Sequence, residues 1–332
     1  MKKIIYMAGM MCLALTSCNN EERPLDIEEA REAVEMTVSL TGLPSQTKAT
    51  GISAQDETKV NSVQLFICDE SGIVEAYATA SGSLVKASVS TGTKDILAVV
   101  NAPDLSSLKT EDAVRNAQSA LADNATGAFV MSGELSGETV SASNSSKTVA
   151  VRRLVSKVML QSIRRSFSNP ELASKELKIR GIYLTDVVTN RGYFKGAESY
   201  SWANKLRHED AALDHLLFDS VGATLAQGTT YSSEHVFYPY PNASSQEPGA
   251  GASGTWSERK TMLVIDTTLD GVDNYYPVYL PVLESNKTYV ITSFTLTKRG
   301  SHNPWEPVES SDVSYEIKVI DWEEGATYTE TI

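Results

Sequence analysis

The sequence predicts an all-β fold: two tandem β-sandwich domains with few short helices. Three observations predict it. Apolar and polar residues alternate at Val34, Met36, Val38 and Leu40, and again at Val63, Leu65 and Ile67, the period of a strand with one buried face. Short runs of this kind recur between turn-forming stretches along the whole chain. Of three cysteines, Cys12 and Cys18 lie in the leader and only Cys68 lies in the body, so the cores hold without a disulfide framework. Hydrophobic residues make up 41% of the 332 and charged ones 21%, enough for ordinary cores. A formal net charge of −13 argues against nucleic acid and against a general basic membrane patch.

From the N-terminus, Lys2 and Lys3 open an apolar run, Ile4 to Leu15, about half the ~20 residues that span a bilayer. Small residues follow it, as in a secretory signal, assigned here to residues 1–17. Leu15-Thr16-Ser17-Cys18 is similar to a bacterial lipobox, in which Cys18 is acylated and becomes the first residue of the mature chain. Asn19, in place of an Asp, points to the outer membrane. Residues 18–48 are then a lipidated propeptide, a polar tether over 19–33 followed by the first strand. The N-terminal domain is expected over 49–148 and the C-terminal domain over 149–332, divided at the linker-like Ser141-Ala-Ser-Asn-Ser-Ser146.

Within the first domain, Asp95-Ile-Leu-Ala-Val-Val-Asn101 reads as a strand buried on both faces. A helix is expected over 110–122, with Thr110 as its cap and Glu111 and Asp112 in its first turn. Cys68 and Phe66 read as packing residues. The second block opens at Val149, where Arg152 and Arg153 must face opposite sides of a strand, one of them toward an interdomain ion pair. Strands are expected near 176–188, 234–240, 261–267, 276–283 and 288–298, and a glycine-rich surface loop over 242–259. Val313, Tyr315, Ile317 and Val319 alternate in a last strand that ends in Asp321-Trp322.

Catalytic motifs are missing. His208-Glu209 begins like HExxH, but Ala212 stands where the second histidine is needed, and His215, His235 and His302 complete no zinc set. Gly249-Ala-Gly-Ala-Ser-Gly254 has the G-x-G-x-x-G spacing without a strand before it or a helix after it. Asp266, Asp270 and Asp273 match no EF-hand loop and read as a solvated turn. No enzyme, metal or cofactor is implied. Trp202, Tyr238, Tyr240, Trp256 and Trp305 are the aromatics that a monomeric glycan- or protein-binding surface lipoprotein would use.

The two ends of the chain carry the mechanistic clue. Pro44-Ser-Gln-Thr-Lys48-Ala49-Thr-Gly51 is polar and offers a basic residue to a trypsin-like protease. Cutting between Lys48 and Ala49 would release the strand of Val34, Met36, Val38 and Leu40 and leave a groove with two open backbone edges. Another strand could fill it, the backbone giving affinity and the alternating side chains giving register.

At these residues the chain resembles the Bacteroidales fimbrillins, the subunits of type V pili. The resemblance rests on the lipobox at Cys18, on Thr47-Lys48-Ala49-Thr-Gly51 with Glu57-Thr-Lys-Val-Asn-Ser-Val-Gln-Leu65, on Val151-Arg-Arg-Leu-Val-Ser-Lys-Val158, and on Tyr315-Glu-Ile-Lys-Val-Ile-Asp-Trp322. Asn286-Lys-Thr-Tyr289, Gly300 and Asn303-Pro304 resemble the family's last hairpin. It implies two transthyretin-like β-sandwich domains, lipoprotein export, removal of the first strand, and polymerisation into an adhesive surface fimbrium. The donor strand would be Val313, Tyr315, Ile317, Val319 and Trp322, entering another copy or another fimbrial subunit. Host or bacterial surface molecules would be the further ligands. The family commonly presents an arginine at the cut, where this chain has Lys48. A subunit that is never cut would suit a basal anchor, and one with an open groove but no exchangeable tail would suit a tip.

Overall fold

The protein is described by a computed structural model covering residues 32–42, 57–194, 201–204, 211–244, 259–309, 312–322 and 327–330. Cys18, Lys48, Ala49, His208 and Trp256 lie outside the described residues.

The first block comprises β1 (Ala33–Thr41), β2 (Val63–Cys68), β3 (Val74–Ala80), β4 (Leu84–Ser90), β5 (Gly92–Val100), β6 (Gln118–Ala120), β7 (Met131–Val140), β8 (Ser146–Ala150) and β9 (Arg152–Arg153). A three-stranded sheet, β4-β1-β8, and a five-stranded sheet, β3-β2-β5-β7-β9, enclose one core. Alternation decides who faces it: Val63, Leu65 and Ile67 of β2 and Ile96, Ala98 and Val100 of β5 join Met36, Val38 and Leu40. Phe66, Cys68, Leu97 and Val99 point the other way, into a second and larger core. β2 and β5 are therefore buried on both faces, as their near-continuous apolar sequences require. Burial raises the Cys68 thiol to about 12, with Glu111 and Asp95 adding to the effect, which makes it an inert packing group.

The second block contains β10 (Lys157–Leu160), β11 (Ile163–Arg165), β12 (Leu177–Thr185), β13 (Val187–Val188), β14 (Asn190–Gly192), β15 (Trp202–Ala203), β16 (Phe218–Thr224), β17 (Thr230–Tyr231), β18 (His235–Phe237), β19 (Met262–Leu269), β20 (Val272–Tyr279), β21 (Lys287–Leu296), β22 (Val313–Asp321) and β23 (Thr327–Glu330). β21 is the spine of a seven-stranded sheet, parallel to β10 and β11 on one side and antiparallel to β22 on the other. β23 pairs with β22. A four-stranded sheet, β16-β12-β19-β20, contributes Ile182, Leu184, Leu263 and Ile265 to the larger core, which Ile291, Phe294 and Ile317 of the spine sheet share.

Two expectations are corrected. Helix α1 covers only Glu111–Arg115, capped by Thr110 as expected, with the Ala113 amide donating to its hydroxyl at 3.2 Å. The rest of the span to 122 is taken by β6, which pairs with β14, and by a 3-10 turn at Leu121–Asp123, because tertiary pairing outweighs local propensity there. The stretch 141–146 is a tight turn joining β7 to β8, with Ser141 bridging Asn144. β8 lies beside β1 and β9 beside β7, so strand pairings of the first block reach Arg153. Residues 245–258 of the expected surface loop lie outside the described residues; at its flanks the Asn242 amide donates to Arg259 O at 2.7 Å and to Thr261 Oγ1 at 3.0 Å. Elsewhere among the described residues, α2 (Pro170–Ala173) and α3 (Asp214–Leu217) are single turns.

Candidate strand-exchange site

β1 is the middle strand of its sheet. It runs antiparallel to β4, with Val34 opposite Val89 and Val38 opposite Val85, and parallel to β8, with Thr37 opposite Ser146 and Leu40 opposite Val149. Val34, Met36, Val38 and Leu40 are all buried, while the residues between them face outward or lie half-buried. Met36, Val38 and Leu40 share one core with Val63, Leu65, Ile67, Val85, Ile96 and Val149 among others. Gly42 ends the strand at φ +77°, and a Cβ there would stand 2.5 Å from the Val151 carbonyl oxygen, so only glycine lets the chain leave at this point.

β22 carries the other predicted set. Val313 and Ile317 are buried, Tyr315 and Val319 are half-buried, and the Tyr315 ring stacks on Phe294 with centroids 5.2 Å apart. Just past the strand, Trp322 is buried in a polar cluster that sequence reasoning did not assign. Its Nε1 donates to the Glu57 carboxylate at 2.9 Å. The same carboxylate accepts from Lys157 Nζ at 2.5 Å and from the Tyr238 hydroxyl at 2.9 Å. The Glu57 carbonyl accepts from Arg153 Nε at 2.7 Å. The Arg153 guanidinium lies 4.5 Å from the Trp322 ring centroid and donates to Asn286 Oδ1 at 3.1 Å. Burial first, and then the Glu57 charge, push the Tyr238 phenol well above its ordinary value, so it stays a donor. Of the arginine pair, Arg152 faces solvent and Arg153 turns inward, and Lys157 makes an ion pair with Glu57 across the blocks.

The other candidates divide clearly. Tyr238 and Tyr240 are fully buried, Trp202 is half-buried beside Val188, and Trp305 is 42% exposed. Tyr238 and Tyr240 are therefore packing residues rather than parts of an exposed ligand platform. An open groove of about 660 Å³ beside Gln64 and Tyr77 has its amide occupied internally: Gln64 donates to Pro103 O at 2.7 Å and accepts from the Leu105 amide at 2.7 Å. Asp266 and Asp273 are held by Arg180, at 2.5 and 2.7 Å, and Asp270 by Lys175 at 2.8 Å, which makes them an ion-paired turn. His215 contacts Asn124 O at 3.0 Å and His235 contacts Asp219 at 2.8 Å. Among the described residues no group of three or more His, Cys, Asp or Glu is placed to hold a metal, and no helix is long and apolar enough to cross a membrane.

No protein-family model and no curated protein matches the chain. Solved structures do. A candidate cell adhesion protein from Bacteroides eggerthii superposes with a TM-score of 0.62 at 19% identity, over 88% of this chain and 97% of that one. A fimbrilin, FimA, from Porphyromonas gingivalis gives 0.61 at 14% identity, over 88% and 97%. This chain has the fimbrillin fold. The tip fimbrial protein Mfa3 of Porphyromonas gingivalis, with a C-terminal truncation, also superposes on this fimbrillin-fold chain, with a TM-score of 0.51 at 12% identity over 87% of this chain and 100% of that one.

Proposed function

We propose that the chain is a structural subunit of a cell-surface fimbrium. In this reading it is exported as a lipoprotein on Cys18 to the outer membrane, trimmed between Lys48 and Ala49, and polymerised by donor-strand exchange with copies of itself and other fimbrial subunits. One observation supports it above the others. β1 is a central strand with four buried side chains, so its departure would open two backbone edges over an apolar floor. Burying each such side chain is worth roughly 1.5–3 kcal/mol, so an empty groove strongly favours a replacement strand. β22 offers a comparable apolar alternation at Val313, Tyr315, Ile317 and Val319, and β23 pairs along its edge.

The deciding measurement is the N-terminus of surface-assembled protein by mass spectrometry. A start at Ala49 in high-mass, detergent-resistant material is expected, and Lys48→Gln should leave the chain long and monomeric. A lipidated Cys18 start with monomer alone would reject the stalk role and leave a basal anchor or a solitary binding lipoprotein.

A further inference from the structure

If the strand exchange proposed above operates, its register follows from the geometry of the groove. We propose that a donor strand from a second copy seats with its Glu316 opposite Lys86 of the acceptor. The inward residues of β1 are 34, 36, 38 and 40, and their midpoint, Thr37, lies opposite Lys86 of β4. The alternating residues of β22 are Val313, Tyr315, Ile317 and Val319, and their midpoint is Glu316. Superposing the two apolar sets therefore brings an exposed carboxylate onto an exposed ammonium.

This holds whichever way the donor points. β1 is antiparallel to β4 and parallel to β8, so the two groove walls run opposite to each other. An incoming strand is antiparallel to one wall and parallel to the other in either direction, and the backbone ladder alone does not select one. The midpoint is unchanged by reversal, so Glu316 meets Lys86 in both.

The neighbouring registers are worse. A slip of one residue turns every apolar side chain outward. A slip of two puts either Asp321 or Ser311 into a buried end position, with Lys318 or Ser314 beside Lys86. In the first case lysine faces lysine and a carboxylate is buried uncompensated, and in the second Val319 gives up a buried place to a serine and Lys86 loses its counter-charge. Before trimming, Lys86 pairs with Glu35 of β1 at 2.8 Å. Trimming removes that carboxylate and leaves the ammonium for the newcomer. Both partners of the present pair are largely exposed, 59% and 68%, so the contact selects register more than it adds affinity.

The test uses trimmed chains, in which Cys18 is gone and Cys68 is buried. Lys86→Cys chains are mixed with Glu316→Cys, Ser314→Cys or Lys318→Cys chains, allowed to assemble, oxidised, and denatured without reductant. Disulfide-linked pairs should be at least fivefold more abundant with Glu316→Cys than with the other two. An equal yield, or a maximum at Ser314→Cys or Lys318→Cys, in material that does polymerise would overturn the register while leaving strand exchange intact. Trimmed parent chains that form no polymer would overturn strand exchange itself. A charge swap gives a second readout, independent of the cysteines: Lys86→Glu should slow assembly several-fold, and adding Glu316→Lys should restore it. Absence of that rescue counts against the pairing.

Discussion

The indole nitrogen of Trp322 donates to the Glu57 carboxylate at 2.9 Å, joining the residue after β22 to the segment that leads into β2. Four of the stretches quoted for the fimbrillin resemblance send a side chain here: Glu57, Arg153 with Lys157, Asn286, and Trp322. Together they build a buried polar joint between the segment leading into β2 and the residue after β22.

Removing the Glu57 side chain should be more damaging than neutralising it. Either change leaves buried Lys157 without its counter-charge, and breaking a buried pair in this way costs about 3–5 kcal/mol. Glu57→Ala also takes away the acceptor shared by Lys157, Tyr238 and Trp322. Glu57→Gln keeps an acceptor for Trp322 and should lie between the parent and Glu57→Ala. Urea unfolding followed by tryptophan fluorescence gives the order, and equal midpoints for the two variants would contradict the cluster's role.

Trp322→Phe keeps a ring on Tyr238, whose centroid is 5.9 Å from the indole, but removes the donor. A loss of about 1–3 kcal/mol is expected for an acceptor left short of a partner. Hydrogen exchange should show the effect locally, with faster amides in β22 and unchanged amides in β1. A uniform change across both strands would mean that Trp322 acts on global stability alone.

Much of this was legible in the sequence, and the exceptions share a cause. β1, β5 and β22 could be read because their apolar residues keep strict phase or run nearly unbroken. Strands β3, β4 and β7 could not, since Val74–Ala80, Leu84–Ser90 and Met131–Val140 are rich in Ala, Ser, Gly and Glu and owe their state to the neighbours they pair with. The Glu57 cluster was invisible for a related reason. Its partners lie 96 to 265 residues from Glu57, and no local spacing links them. The one available hint was a pair of basic residues, Arg153 and Lys157, inside an otherwise apolar strand-forming run.

Met36 tests how β1 sits in the groove. It is fully buried between the two sheets of the first block, and Met36→Ala should cost about 2–5 kcal/mol in the untrimmed chain. In a trimmed chain residue 36 is gone, so the same substitution should leave assembled material unaffected. Thermal melting of both forms checks it, and a destabilised polymer would show that β1 is retained.

Asp186 gives the pH dependence. It follows β12 at φ 54°, and neither carboxylate oxygen has a hydrogen-bond partner among the described residues. Burial raises its carboxyl from the usual carboxylate range to about 7, only partly opposed by the Arg259 charge. In that window the folded state keeps a proton that the unfolded chain has released, so stability falls as pH rises from about 4 to about 7 and stays at its reduced level above that. Asp186→Asn removes the charge and tolerates the left-handed backbone. The variant should therefore be more stable than the parent at pH 8, by at most a few kcal/mol for a shift of this size, and the difference should shrink toward zero near pH 4. Unfolding midpoints at pH 4, 6 and 8 test this, and a stabilisation that does not change with pH would show that ionisation of Asp186 is not its source.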